Sequence, residues 1–452
     1  MPSTLALISE PALKLDRCHR REILDYFRNA WQLENVLLHA IAHPNFFYQN
    51  PDPLRNPLIF YLGHSAVFYI NKLKRVGILQ APLHELYENL FEVGVDPANA
   101  AELQAATAHI QWPSVDDVWE YRATAYDVIT SVIETTAIDL PIRPEDPLWA
   151  LMMAIEHQRI HIETSSMLLR QLPTDRLRRP SDWHYAPSFG AIADNPLIAC
   201  DGGEVKLGKP WHFPLYGWDN EYGTKSVTVA PFTVSQYMIT NGEFQEFIAD
   251  GGYQNRQYWD EASWHWRTEF GIHQPKFWIP TESNYRYRAM FDEIELPLDW
   301  PVEVNHYEAM AYCRWRGVRL LTEAEWQWLA YGNAAEHLAC GDDNSHHYNL
   351  NLQFGSPTPV GYTERNQSQG TLKETVKDIR GNVWEWLSDT FEPLSGFTPH
   401  YLYEDNSVPF FDGGHKMMLG GCWITNGTEA LRFYRNWFRP SFYQHAGFRI
   451  AL

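Results

Sequence analysis

His157 and His161 stand four residues apart in the stretch Ala154-Ile155-Glu156-His157-Gln158-Arg159-Ile160-His161-Ile162-Glu163-Thr164. Residues at i and i+4 share one face of a helix, so both imidazoles can reach a single ion. Trp149 to Leu172 reads as that helix, with no Gly or Pro before Pro173. Ala150, Met153, Ala154, His157, His161, Thr164 and Leu168 fall along one inward stripe, where an imidazole needs a partner. Two core histidines bonded to backbone or carboxylates fit this pair as well as a metal does. A third histidine favours the metal. His64 lies in Leu62-Gly63-His64-Ser65-Ala66-Val67-Phe68-Tyr69-Ile70, a second apolar, helix-like run. Three neutral imidazoles from two helices leave half of an octahedral ion open, which suits a non-haem iron enzyme that binds substrate and oxygen. Zinc also accepts three histidines and a water, so the residues alone do not choose the metal. Glu163 is a candidate to orient a metal-bound imidazole or to brace the bundle.

The elements that must position these residues follow from periodicity and caps. The predicted helices are Asp16–Ala42, Pro57–Val76, Leu83–Phe91, Val115–Thr136 and Pro147–Leu172. Ser114 and Asp116 offer N-cap chemistry, and Pro147 suits a first helical turn. Long helices with short connections predict a four-helix-type bundle over residues 1–172. Residues 173–199 are polar and proline-punctuated and read as a linker. From residue 200 to 452 the texture changes to short β-rich pieces such as Ser226–Val229 and Phe232–Val234, interrupted by helices at Thr240–Ala249 and His306–Arg316. The fold class is therefore α+β, in two domains.

Bulk composition narrows the function. At 452 residues the chain exceeds one ordinary core. Thirty-six basic against 56 acidic residues give a net charge of −20, which excludes nucleic acid and anionic membrane as expected partners. No apolar run approaches a membrane span, and Met1-Pro2-Ser3-Thr4 does not begin a signal peptide, so a cytoplasmic location is expected. The five cysteines, Cys18, Cys200, Cys313, Cys340 and Cys422, form no CxxC pair and fit reduced thiols.

Six phrases of the second domain belong together: Thr240-Asn241-Gly242-Glu243-Phe244, Pro301-Val302-Glu303-Val304-Asn305, Arg319-Leu320-Leu321-Thr322-Glu323-Ala324-Glu325-Trp326, Gly381-Asn382-Val383-Trp384-Glu385-Trp386, Gly420-Gly421-Cys422-Trp423 and Gly447-Phe448-Arg449. They resemble the formylglycine-generating-enzyme-like fold, related to C-type lectins. Most are architectural. The cysteine pair that true formylglycine-generating enzymes use is missing from Arg435–Phe442, so that activity is not expected. A DinB-like bundle carrying His64, His157 and His161 ahead of this fold resembles the non-haem iron sulfoxide synthases. These join a thiol sulfur to the imidazole ring of histidine or trimethylhistidine with O2. Within the family, Pro57–Phe68, Ile155–Ser166, Gly217–Tyr222 and Phe442–Arg449 look most like the 5-histidylcysteine sulfoxide synthases of ovothiol biosynthesis.

The resemblance implies Fe(II) on His64, His157 and His161, with cysteine, histidine and O2 as small-molecule substrates. It implies Tyr403 as proton donor, with Tyr401 the competing choice if the loop shifts by two residues. From position alone, Arg439, Arg435, Arg75 and Asn436 are candidates for the substrate carboxylates. Asp219, Asn220 and Glu221 read as a structural acidic loop, and His346, His347 and His445 as decoys. Enzymes of this type usually continue into a methyltransferase domain. This sequence ends at Leu452, so a separate downstream lyase and methyltransferase are expected. The ergothioneine-forming branch often carries Asn-Trp-Asp near its C-terminus and a Gln before the last iron-ligating histidine. Here Phe438 and Ile160 stand at those positions, which favours histidine with cysteine. The alternatives are an ergothioneine- or selenoneine-type synthase that uses trimethylhistidine, and a metal-dependent thiol transferase.

Overall fold

Ser114 opens the helix Val115–Thr135 by accepting the Asp117 N–H at 3.1 Å, the cap its position in the sequence calls for. In the computed structural model, which describes residues 7–92, 94, 97, 100–190, 194–332, 348–362 and 376–452, this helix is one of four long ones. The first six helices are α1 (Arg20–His39), α2 (Leu58–Arg75), α3 (Glu85–Leu90), α4 (Ala100–Thr107), α5 (Val115–Thr135) and α6 (Trp149–Arg170). α1 and α2 each pack against both α5 and α6. The long helices follow the sequence prediction to within a few residues. α4 lies outside the helices that the sequence predicts, because the stretch has only a weak apolar face. His346, His347 and Cys340 lie outside the described residues.

The chain forms two compact units. One comprises Met1–Asp182 with Pro214–Tyr216 and Met290–Asp292; the other comprises Trp183–Phe213, Gly217–Ala289 and Glu293–Leu452. In the first, 15 of the 18 residues of α2 and 19 of the 22 of α6 are buried. The histidines of α6 therefore sit in a helix enclosed almost all round, rather than on a single inward stripe. Aromatic rings fill the bundle: Phe27 stacks on Tyr126 at 5.4 Å and meets Tyr69 edge-on at 5.5 Å.

The second unit is built on small sheets. Leu197–Cys200 (β1), Phe232–Ser235 (β4), Ile450–Ala451 (β13) and Arg319–Leu320 (β8) form one sheet in the order β1-β4-β13-β8. Asn436–Phe438 (β11), Lys416–Leu419 (β10), Trp384–Thr390 (β9) and Ala446–Gly447 (β12) form another in the order β11-β10-β9-β12. Gly203–Leu207 (β2) pairs with Lys225–Val229 (β3), and Trp278–Pro280 (β5), Tyr285–Arg288 (β6) and Glu293–Glu295 (β7) make a three-stranded meander. Among the described residues four helices interrupt them, where the sequence suggests two. Asn241–Ala249 (α7) and His306–Arg316 (α9) were expected, and Glu261–Glu269 (α8) and Glu323–Tyr331 (α10) were not. α10 did carry a signal: Thr322 and Glu325 form a reciprocal capping box.

The recognised phrases brace this unit. Arg449, 1% exposed, binds Glu385 and donates to the carbonyls of Ser235, Gln236 and Lys377. Gly381 and Asn382 both take positive φ, at +73° and +68°, in a tight turn. The Asn382 side chain ties that turn to a distant segment: its Oδ1 accepts the Thr358 N–H at 2.7 Å, and its Nδ2 donates to the Thr358 carbonyl at 3.2 Å. Asn382→Ala removes both bonds and puts alanine in the left-handed region. Chemical denaturation of the variant is expected to show a loss of about 2–4 kcal/mol, and a loss below about 0.5 kcal/mol would refute this account of the turn.

Candidate metal centre

Gly63 lets the site form. A Cβ there would lie 2.6 Å from Cγ of Phe91, so only glycine allows the Phe91 ring to sit against α2. That approach brings the Phe91 carbonyl to 2.6 Å from Nδ1 of His64. With Nδ1 donating, Nε2 keeps the lone pair. Phe60 stacks on the His64 ring at 4.8 Å. On α6, His157 lies flat on Phe68 at 3.6 Å and 6°, so its plane is fixed. His161 has Thr164 Oγ1 at 3.5 Å from Nδ1, the outer limit of a hydrogen bond.

The three rings converge. One ligand nitrogen from each of His64, His157 and His161 lies within 4.8 Å of the others. His64 and His157 are buried, and His161 is half-buried. Burial pushes the His64 imidazole down to about 4, against a smaller opposing effect of its bond to Phe91. Burial also holds His157 well below the ordinary range, reinforced by His161, His64 and Lys72. His161 is lowered in the same way by burial, then by His64 and Arg55. All three are therefore neutral at pH 7, the state that ligates. The donor set fits a divalent ion with open positions: among the described residues the cluster holds three neutral nitrogens, with no thiolate and no carboxylate. Glu163, proposed as an orienting acid, is buried two residues beyond His161; residues at that spacing do not share a helix face. The Phe91 carbonyl orients His64, and Thr164 lies beside His161.

Two side chains near the triad were missed in the sequence. The Tyr61 ring lies 6.3 Å from that of His161, and burial pushes its phenol up to about 12, so it stays protonated. Arg55, half-buried just before α2, is the cation whose field reaches His161. Neither stands out by spacing. Arg75, by contrast, ends α2 in solvent, eleven residues beyond His64, which is ~16 Å along the helix axis.

Tyr403, Asn436 and Arg439 belong to the second unit. Tyr403 is half-buried, and its ring meets Trp218 edge-on at 6.4 Å. Burial, then Asp405 and Asp219, raise its phenol far above the ordinary range. Tyr401 is 46% exposed and stacks on His400. The loop of Tyr403 is tied down by Asp219, whose Oδ1 accepts from Ser407 Oγ at 2.6 Å and from Asn406 Nδ2 at 2.8 Å. Arg435 is a brace: its Nε and Nη2 grip Glu323 at 2.7 and 3.2 Å. Arg439 is half-buried, 4.0 Å from Asp412. Asn436 lies in β11 and accepts the Trp437 N–H. His445 is fully buried, 3.1 Å from Glu303. Among the described residues no helix is long and apolar enough to cross a membrane.

Comparison with known proteins places the chain. Residues 192–452 match the family described as the sulfatase-modifying factor enzyme 1-like domain. A protein of Mycolicibacterium thermoresistibile named hercynine oxygenase is 30% identical over 422 residues, covering 88% of each chain. The hercynine oxygenase of Mycobacterium tuberculosis is also 30% identical, over 88% of this chain and 92% of its own. Ergothioneine biosynthesis protein 1 of Neurospora crassa is 25% identical over 95% of this chain and 57% of its own length. The chain belongs to the sulfoxide synthase family related to the ergothioneine-forming enzymes, an N-terminal helical region followed by a formylglycine-generating-enzyme-like domain.

The lowered imidazoles make the metal-free protein acid-labile. Each binds a proton more readily unfolded, near 6.5, than folded, so stability is present above about pH 6.5 and is lost as pH falls towards the folded value, about 4 for His64. Denaturation of the metal-free protein is expected to lose up to about 1.4 kcal/mol per pH unit per histidine in that window. His64→Phe should flatten the slope, and an identical slope in that variant would refute the assignment.

Proposed function

We propose that the chain is an O2-dependent non-haem iron(II) sulfoxide synthase that joins the sulfur of cysteine to the imidazole ring of histidine, giving 5-histidylcysteine sulfoxide. The observation that carries this reading is the convergence of three neutral, enclosed imidazoles in a chain of the sulfoxide synthase family. Iron(II) held by His64, His157 and His161 would supply O2 activation and a place for the thiolate. Four electrons leave the two substrates: one C–S and one S–O bond form, and the second oxygen leaves as water.

The chain's own residues do the rest. Burial keeps the triad neutral and therefore coordinating. Tyr403 is proposed as the proton donor, since its phenol stays protonated throughout the working range. Arg439 and Asn436 are proposed to meet substrate carboxylates; the placement of Arg75 at the far end of α2 gives it the least support. Small molecules are then the partners. Ile160 and Phe438 support histidine as the acceptor. The name of two relatives, hercynine oxygenase, supports a second reading with trimethylhistidine.

Anaerobic and aerobic incubations with iron(II), histidine and cysteine test the reaction class. Turnover is expected only with O2; turnover without it would identify a thiol transferase. Loss of the C5 ring proton in the product NMR is the expected signature, and loss of the C2 proton would support the second reading. His64→Ala, His157→Ala and His161→Ala should each lose iron and at least about 100-fold in turnover, the order of removing an essential group.

Tyr403→Phe keeps the ring and removes only the hydroxyl. It should retain iron and O2 consumption while product shifts from sulfoxide to cysteine sulfinic acid, with Tyr401→Phe nearly silent. An unchanged product ratio at Tyr403 together with a changed one at Tyr61→Phe would transfer the donor to the bundle.

A further inference from the structure

Behind the histidines lies a buried polar cluster that the chemistry above does not use. Glu34, on α1, has no exposed surface. Its Oε1 accepts the Ser65 hydroxyl, and its Oε2 accepts from Gln158 Nε2 at 2.8 Å and Arg122 Nη2 at 2.9 Å. Arg122, on α5 and 1% exposed, also donates to the Leu62 carbonyl at 2.9 Å and to Asn35 Oδ1 at 2.8 Å. Gln158 Oε1 accepts the Tyr69 hydroxyl at 2.8 Å. Arg122 is flanked by the rings of Trp31 and Trp119. One carboxylate thus ties together α1, α2, α5 and α6.

The contact points are specific. Ser65 follows His64, and Gln158 follows His157. Leu62, whose carbonyl Arg122 holds, lies in the same turn of α2 as His64. The two oxygens of Glu34 therefore fix the rotation and separation of the two helices that carry the triad. The desolvation cost of a buried ion pair makes it a weak source of stability, so packing alone does not explain it. We propose that Glu34, with Arg122, is a positioning group that sets the spacing of His64 against His157 and so the affinity of the metal site. The proposal rests on reading the triad as a metal centre.

The test is anaerobic Co(II) titration of the full chain, read by Kd and by the d–d absorption. The triple variant Ser65→Ala, Tyr69→Phe, Gln158→Leu removes every side-chain bond from the cluster to the two ligand helices and leaves Glu34 paired with Arg122 and Arg122 on the Leu62 carbonyl. It is expected to keep its helical circular dichroism, to bind Co(II) at least ~10-fold more weakly and to show a shifted d–d band. A Kd within about two-fold of wild type with an unchanged band overturns the proposal, whatever happens to the melting temperature, because a merely bracing cluster would move only that temperature. If the triple variant does not fold, Gln158→Leu alone is read by the same two criteria. Failure of the unaltered protein to bind Co(II), or binding that survives His157→Ala, overturns the metal reading itself. Binding by the unaltered protein with no change in the cluster variants overturns only the positioning role.

Discussion

Taking polar groups out of water is the constraint on which the first unit depends. A bundle interior tolerates an imidazole only with a partner, and here three are brought to one point in a helix pair with almost no exposed surface. Every surrounding feature answers that demand. Phe91 offers a carbonyl to His64 across the gap that Gly63 leaves, and Phe68 fixes the plane of His157. The Glu34 carboxylate ties down the same two helices from behind. The same desolvation lowers the imidazoles and so prepares them to coordinate.

The second unit solves a different problem. Its strands are short, so sheet hydrogen bonding alone leaves many backbone groups to satisfy. Buried polar side chains fill that role: Arg449 collects three carbonyls, Asn382 pairs with the backbone of Thr358, and Trp386 donates to the Val304 carbonyl at 3.0 Å. That is why the recurrent phrases of this fold are rich in Gly, Asn, Trp and Arg, and why they report architecture before chemistry. Asp219 extends the same principle to the Tyr403 loop.

What could be read in the sequence follows from range. The α6 histidines were legible because four-residue spacing is a local property of a helix, and His306–Arg316 was legible because Asn305 and Gly317 cap it with local chemistry. The α10 helix was missed although its capping box, Thr322 with Glu325, is of the same kind as that of α7. Glu34 gave no signal. An acid within an apolar stripe is unremarkable until Arg122, 88 positions away, is found beside it. The Phe91 carbonyl is a backbone atom and has no sequence signature at all.

The central claim, that these three histidines hold one metal ion in its working state, is tested most directly by X-ray absorption at the iron edge of the anaerobically loaded protein. The account predicts the multiple-scattering signature of three imidazole rings on a single iron, with a sulfur scatterer added when cysteine is supplied. A spectrum without imidazole scattering, or one unchanged by cysteine, would contradict it.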